Sequence, residues 1–239
     1  MLRFITVISM VCALAWNPAG AEDPIENVKR NLLKLLPGHA EILGIEESGM
    51  ENTFIVQLEQ QELFVYSRGD WILIGDLYDA ARQVHLGEER TAARMADAIG
   101  SVPLDQMVVM GPDTGRHVTV FTDTDCVYCQ RFHQTVPELQ QRGLQVRYLM
   151  FPRTGIGSES YYEAVSVWCA EDQGHAMTVA KSGGMVEPKE CENPVESQYF
   201  LGQKIGVRGT PTMIFDNGKV IPGFLPPDEL LAAAEMAEN

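Results

Sequence analysis

The pattern of apolar and polar residues divides the chain into a front part and a rear part with different predicted elements. In the front part, apolar residues recur at helical spacing after an Asp23-Pro24 helix start, at Ile25, Val28, Leu32, Leu35 and Leu36. Four short runs with strand character follow, at 41–45, 53–59, 62–66 and 71–74, with turn sequences between them. The pattern predicts an α+β unit over 22–86, a helix with a small antiparallel sheet. Such a unit buries little core alone, and pairing with a second copy would enlarge it.

The segment 87–104 is predicted to connect this unit to the rest of the chain through a helix. Ala92, Met95, Ala96 and Ile99 form a narrow apolar stripe among charged residues. A stripe this narrow is typical of a solvated spacer rather than of a core helix. Pro103 lies just beyond the predicted end. We therefore expect a linker helix.

From 105 to 239 the pattern is that of an α/β domain. It predicts a strand at 117–121, an amphipathic helix at 129–142, a strand at 144–151 and one helix over about 161–180. Strands at 212–215 and 219–221 flank Asp216-Asn217-Gly218, a strong hairpin signal, and a helix at 228–237 ends the chain. Strand, helix, strand, helical insertion, hairpin and helix is the order of a thioredoxin fold.

The N-terminus has the three parts of a secretory signal peptide. Arg3 supplies a positive charge, an apolar run covers 4–16, and Ala19-Gly20-Ala21 offers a cleavage site. The run is too short to cross a bilayer comfortably, and no later stretch approaches its length. We therefore expect 1–21 to be removed on export and no stable membrane insertion of the mature chain. A retained anchor is the alternative.

The charge of the chain excludes one class of partner. The formal net charge is −15 at pH 7. Nucleic acids and anionic membranes attract basic patches, so neither is expected as a partner. Beyond that exclusion, the acidity indicates only good solubility.

Cys126-Val127-Tyr128-Cys129 is a Cys-x-x-Cys motif that follows a predicted strand. Thiol–disulfide exchange needs a thiolate, and a helix N-terminus lowers the pKa of a thiol placed there. Cys126 is therefore the predicted nucleophile, and Cys129, one helical turn later, the thiol that resolves the mixed disulfide. The pair would cycle through a redox-active Cys126–Cys129 disulfide.

Two aspartates complicate the expected pKa of Cys126. Asp123 and Asp125 bring negative charge that opposes thiolate formation, unless Asp125 is turned away as a helix cap. Which effect dominates stays open at this point. His133, on the same helical face as Cys129, is interpreted as a packed or solvated histidine rather than a catalytic base.

A zinc site is the other chemistry that a Cys-x-x-Cys motif serves. The remaining cysteines outside the signal peptide, Cys169 and Cys191, are far apart in sequence, with no clustered histidines. We therefore expect no metal and no cofactor. In an oxidising compartment this second pair predicts a structural disulfide, with a second redox relay as the alternative.

Thr210-Pro211 is the second element of the predicted site, because it directly precedes a predicted strand. In a thioredoxin-like fold this position favours a cis peptide bond. The neighbouring backbone is then free to pair with an extended substrate.

Several segments together resemble one protein family. They are 121–123 before the Cys-x-x-Cys motif, 146–149, 151–153, Trp168-Cys169-Ala170, 201–207, Gly209-Thr210-Pro211, 217–223 and, in the front part, 75–79. With these segments the chain resembles the bacterial periplasmic disulfide isomerases of the DsbC/DsbG family, over essentially the whole mature length. The second cysteine pair favours the DsbC branch. Val127 departs from the pattern, since DsbC has Gly and DsbG has Pro at this position, which tunes the reduction potential.

The resemblance implies a V-shaped homodimer joined through the front domains. Its apolar cleft would hold misfolded exported proteins with wrong disulfides, and a membrane reductase of the DsbD type would keep the dithiol reduced. Val127, Tyr128, Thr210 and Pro211 are expected to contact the substrate. The implied function is periplasmic disulfide isomerisation. The alternatives are a DsbG-like reductase that protects single thiols, a DsbA-like oxidase, and a chaperone whose redox role is secondary.

Overall fold

The computed structural model describes residues 23–36, 38, 40–58 and 61–237. The predicted signal peptide, 1–21, lies outside the described residues. A four-stranded sheet forms in the front part of the chain and a five-stranded sheet in the rear part, with a two-stranded pair between them in sequence.

The front part is a helix packed on an antiparallel sheet, as the sequence predicts. Helix α1 (Pro24–Leu32) precedes strands β1 (Ile42–Glu47), β2 (Thr53–Leu58), β3 (Glu62–Arg68) and β4 (Trp71–Gly75), which lie in the order β1-β2-β3-β4. The helix begins at a capping aspartate, because Oδ1 of Asp23 accepts a hydrogen bond from the Ile25 amide at 3.0 Å.

A small apolar core joins α1 to this sheet. Val28 and Leu32 lie four residues apart, so they share one face of the helix, and both are fully buried. They belong to one cluster with Phe54, Val56 and Val65 of the sheet. Burial of each such side chain contributes about 1.5–3 kcal/mol, so this face stabilises the packing of α1 on the sheet.

Helix α2 (Leu86–Gly100) follows the strand pair β5 (Tyr78–Asp79) and β6 (Val84–His85). Arg90 of α2 binds Glu62 of β3 and Glu46 of β1, each at 2.7 Å. At the other end of the helix, Ile99 is buried and Met95 partly buried in a cluster formed with the rear sheet. Helix α2 therefore contacts both sheets, whereas its narrow apolar stripe predicted a solvated spacer.

The rear sheet has the strand order β11-β10-β8-β9-β7. Its strands are β7 (Val108–Met110), β8 (His117–Thr122), β9 (Gln145–Met150), β10 (Thr212–Ile214) and β11 (Val220–Pro222). Strands β8 and β9 are parallel, and helix α3 (Val127–Gln141) makes the crossover that a parallel pair requires. The other pairs in this sheet are antiparallel.

The remaining helices are α4 (Glu159–Trp168), α5 (Gln173–Lys181), α6 (Val195–Lys204) and α7 (Pro227–Ala237). The single helix predicted over 161–180 is wrong. Oδ1 of Asp172 accepts a hydrogen bond from the His175 amide at 2.8 Å and so begins a new helix after Trp168. Strand β7 and helix α6 were not expected either.

The core of the rear part lies between the sheet and its helices. Phe132 and Leu139 of α3 are fully buried in one cluster with Tyr148 of β9. The rings of Phe132 and Tyr148 meet edge to face, with centroids 6.2 Å apart. This packing fixes the helix that carries the two cysteines against the strand beside it.

Gly218, in the β10–β11 hairpin, offers a test of how α2 docks. Its φ is +78°, and a Cβ at this position would clash with the backbone of Ala92 in α2. Gly223 has a similar φ of +84°, but nothing lies within 4 Å of its would-be Cβ. Gly223→Ala therefore carries the same backbone strain without the clash.

We expect Gly218→Ala to be less stable than Gly223→Ala by about 1–3 kcal/mol, the range for overpacking. Thermal unfolding followed by circular dichroism measures the difference. Equal Tm values for the two variants would show that α2 does not depend on this contact.

Candidate redox site

Cys126 lies at the N-terminus of α3, directly after the turn that follows β8. Its amide donates a hydrogen bond to the Asp123 carbonyl oxygen at 3.2 Å, and it holds the N-cap position of the helix. The unpaired amides of the first helical turn therefore lie close to its Sγ. Cys126 is buried, whereas Val127 and Tyr128 are 59% and 57% exposed. The two intervening residues thus form a surface next to the sulfur.

Cys129 lies one helical turn after Cys126 and is fully buried. Both residues are free thiols. Burial raises the pKa of Cys129, and its hydrogen bond to Cys126 acts in the same direction. The pair is therefore asymmetric, with one thiol prepared to ionise and the other kept protonated.

The pKa of Cys126 is lowered to about 5. A hydrogen bond from the Cys129 thiol is the largest cause. The Thr210 side chain, the Cys129 backbone and the charge of Arg153 also lower this pKa, while burial acts in the opposite direction. At neutral pH Cys126 is thus a thiolate, the form that attacks a disulfide.

The Thr210–Pro211 peptide bond is cis and lies against Cys126. As a thiol, Cys126 donates to the carbonyl oxygen of Thr210 at 3.2 Å. Within the described residues, the buried hydroxyl of Thr210 has no hydrogen-bond partner. It is therefore available to donate to the sulfur once Cys126 is ionised.

The two aspartates do not prevent ionisation of Cys126. Asp125 is exposed and is not the helix cap, since Cys126 holds that position. The side chain of Asp123 is 1% exposed and binds Nε of Arg153 at 2.9 Å. Asp123 Oδ2 also accepts from the Arg153 amide at 3.0 Å. Because Arg153 neutralises this buried carboxylate, the question that the sequence left open is decided in favour of the thiolate.

Sequence reasoning missed Lys181, at the end of α5. The residue is 2% exposed, and its Nζ donates to Thr122 Oγ1 at 2.8 Å and to the Asp123 carbonyl oxygen at 2.6 Å. Burial lowers its pKa to about 8, so it remains charged at neutral pH. The sequence does contain a feature that could have indicated a buried lysine, since Lys181 follows Met177 by four residues and so shares its apolar helix face.

His133 is a packed histidine, consistent with its interpretation from the sequence. Nδ1 lies 2.9 Å from the hydroxyl of Tyr148, and Nε2 lies 3.0 Å from Oγ1 of Thr178. Burial lowers the pKa of His133 to about 4, and the charge of Lys181 contributes. The ring is neutral at physiological pH and links α3 to β9 and α5.

Cys169 and Cys191 form a disulfide, with Sγ atoms 1.99 Å apart and Cα atoms 5.8 Å apart. It ties the end of α4 to the segment before α6. Closing a loop of this length stabilises a fold by about 3 kcal/mol in the loop-entropy model.

The chain is similar to known redox proteins. Residues 105–238 match the family model described as a thioredoxin-like domain. The chain is 32% identical to the thiol:disulfide interchange protein DsbC of Dickeya dadantii, over 97% of this chain and 94% of that protein. It is 33% identical to DsbC of Haemophilus influenzae, over 95% and 96% of the two chains.

The chain belongs to the DsbC family of thiol:disulfide interchange proteins. A crystal structure of a disulfide interchange protein from Neisseria gonorrhoeae is similar to this DsbC family member, with a TM-score of 0.53 and 28% identity. That likeness covers 58% of this chain and 99% of the other. The protein is accordingly a thiol–disulfide oxidoreductase with a thioredoxin-like domain.

The described residues of this DsbC family member lack the features of membrane-spanning helices and of metal sites. No helix in the described ranges is both long and apolar enough to span a bilayer. Over the same part of the chain, no three or more His, Cys, Asp or Glu side chains are grouped so that they could hold a metal ion.

The lowered pKa of Cys126 predicts the pH dependence of its reactivity. We expect the rate of alkylation by iodoacetamide to be nearly constant above about pH 6 and to fall as the pH drops through about 5, because only the thiolate reacts. Quenched alkylation followed by mass spectrometry measures this profile. In Cys129→Ala, which lacks the donor thiol, the pH at which alkylation of Cys126 reaches half its maximal rate should be higher. A wild-type midpoint above pH 7 contradicts the proposed stabilisation.

Proposed function

We propose that this protein is a periplasmic disulfide isomerase that acts through Cys126 and Cys129 in the reduced state. The observation that carries the proposal is the asymmetric dithiol: a covered thiolate at a helix N-terminus, against a cis proline, with a protonated thiol one turn behind it. A thiol of low pKa is ionised and able to attack at neutral pH, and its thiolate is a good leaving group; isomerisation requires both properties.

The reaction begins when the Cys126 thiolate attacks a wrong disulfide of the substrate. The substrate S–S bond breaks, a mixed disulfide with Cys126 forms, and one substrate sulfur leaves as a thiolate. A different substrate thiolate then attacks its partner sulfur in the mixed disulfide. A new substrate disulfide forms and Cys126 is released as a thiolate, with no net oxidation or reduction.

Cys129 can also resolve the mixed disulfide. It attacks Cys126, which leaves the substrate reduced and the enzyme with a Cys126–Cys129 disulfide. Two electrons are then needed to restore the dithiol. We propose that a membrane reductase of the DsbD type supplies them.

Substrate is proposed to lie across the exposed side chains of Val127 and Tyr128 and along Thr210 and Pro211. The loop before β10 is bordered by a largely apolar cavity of about 320 Å³, lined by 205–212 and by Met95 of α2, among others. An extended chain could pair with the backbone at Thr210 and place apolar side chains in this cavity. Such recognition suits misfolded exported proteins, which expose apolar segments.

A homodimer is proposed to form through the front sheet. Strand β4 is at the edge of this sheet, and Trp71 and Leu73 on it are 82% and 66% exposed. An exposed apolar edge strand is a ready surface for pairing with another chain. A second copy fits this surface, because β4 of each copy could continue the sheet of the other.

The domain boundaries and the location form part of the same proposal. We assign 1–21 to a cleaved signal peptide, 22–86 to the dimerisation domain, 87–104 to the linker helix and 105–239 to the catalytic domain. Export to the periplasm would place the dithiol where disulfides persist, and the Cys169–Cys191 disulfide supports such a compartment.

The isomerase activity is tested by reactivation of ribonuclease with scrambled disulfides. We expect Cys126→Ser to lose at least about 100-fold of the rate, because it removes the nucleophile. Cys129→Ser should retain part of the activity and accumulate mixed disulfides. Reactivation by Cys126→Ser at the wild-type rate overturns the proposal. Trapping of thiols in cells separates an isomerase from an oxidase, since an oxidase would be recovered as the disulfide.

The dimer is tested by Leu73→Glu, which places a charge on the β4 edge. We expect this variant to have the monomer mass by light scattering. It should also lose isomerase activity, because the redox site of a second copy no longer shares the cleft. Cys126 should still be alkylated at the wild-type rate. Leu43→Glu is the matched control, since Leu43 is 54% exposed on β1 at the opposite edge of the same sheet. A monomeric wild type, or dimers of unchanged mass in Leu73→Glu, contradicts this interface.

A further inference from the structure

Lys181 is a buried cation behind the redox site that the proposed mechanism leaves unused. Its Nζ reaches from the end of α5 to the end of β8, where Thr122 Oγ1 and the Asp123 carbonyl oxygen accept its hydrogen bonds. The same Asp123 oxygen accepts the amide of Cys126 at 3.2 Å. One carbonyl therefore connects the ammonium group to the backbone of the nucleophile.

Removing an ammonium group from water is unfavourable unless the site supplies compensating charge and hydrogen bonds. The two hydrogen-bond acceptors of Lys181 are uncharged. The side chain of Asp123 is already bound to Arg153. The lysine charge thus has no dedicated carboxylate partner at hydrogen-bond distance within the described residues, and it lies at the turn that carries Cys126.

Several titratable groups share the electrostatic environment of Lys181. Cys129 and Cys126 from the start of α3, Asp123 from the preceding turn and Glu163 from α4 all favour its charged form. His133 of α3 is neutral at physiological pH, since burial lowers its pKa to about 4. Cys129 is fully buried and must still ionise in order to react, and the charge of Lys181 lowers its pKa against the larger, opposite effect of burial.

We propose that Lys181 is a positioning residue for the resolving step, in which its ammonium group supplies the positive charge against which the Cys129 thiolate forms. The proposal rests on the proposed exchange mechanism and extends it. Lys181 acts through charge and through the turn at Asp123, not by forming a bond to any sulfur.

The step that Lys181 assists is balanced in atoms and electrons. Cys129 loses its proton, and its thiolate attacks Sγ of Cys126. The bond between Cys126 and the substrate sulfur breaks, the Cys126–Cys129 disulfide forms, and the substrate sulfur leaves with the electron pair. It takes up one proton, so no net proton is lost. The dithiol is oxidised and the substrate disulfide is reduced.

This role would set the balance between the two outcomes of the mixed disulfide. Faster ionisation of Cys129 shortens the lifetime of the mixed disulfide and favours reduction of the substrate. Slower ionisation gives a substrate thiol time to attack and favours isomerisation. A neutral residue at 181 should therefore shift this enzyme from reduction towards isomerisation.

The reaction of the reduced, full-length protein with Ellman's reagent separates the two steps. Attack by Cys126 releases the first thionitrobenzoate, and resolution by Cys129 releases the second. Lys181→Gln keeps a donor for the Asp123 carbonyl but removes the charge. We expect its second phase to slow about tenfold and to need a higher pH, because a nearby opposite charge lowers a pKa by about one unit or more. The first phase should stay within about threefold of wild type.

Lys189→Gln is the matched control, since Lys189 lies on the surface beside Glu187 and its loss changes the net charge equally. Its second phase should equal that of wild type. Lys181→Met provides a second neutral variant if Lys181→Gln does not fold, as judged by circular dichroism. A second phase with the wild-type rate and pH profile in either folded variant overturns the role of Lys181. Absence of the second phase in wild type would instead contradict the exchange mechanism itself.

Discussion

The register between β8 and β10 is the constraint on which the redox site depends. Thr212 pairs with Phe121, so the chain just before β10 lies beside the chain just after β8. The cis Thr210–Pro211 bond is therefore brought against Cys126, although more than eighty residues separate them in sequence. A shift of one residue would turn each side chain of β10 to the other face of the sheet and would remove this contact.

The side-chain charges near the dithiol include two positive ones, although the chain as a whole is negatively charged. The protein carries a formal net charge of −15, yet two cations lie close to the dithiol. Arg153 neutralises the buried Asp123, and Lys181 is buried behind the turn. Lys181 is held where there is little water, and the half-exposed Arg153 binds a carboxylate that is buried. Their effect on the two thiols is therefore larger than that of the many exposed carboxylates.

Much of the fold was predictable because it follows from local patterns. The helix and antiparallel strands of the front part, the β8–α3–β9 unit and the final hairpin and helix appear close to their expected positions. The split of 161–180 into α4 and α5 was missed, since the apolar spacing continues across Asp172 and only its capping hydrogen bond begins a new helix. Strand β7 was missed because three residues are too few for a periodic signal.

The sequence by itself determined the reacting groups: a Cys-x-x-Cys motif at the start of a helix, a Thr-Pro before a strand, and a second cysteine pair. These assignments rest on short-range rules of helix ends, turns and thiol chemistry. Only the tertiary structure decided how the charges act. It paired Asp123 with Arg153, left Asp125 exposed and brought Lys181 beneath the turn. The physical reason is that the pKa of a thiol depends on distances and burial, and neither can be read from residues that lie far apart along the chain.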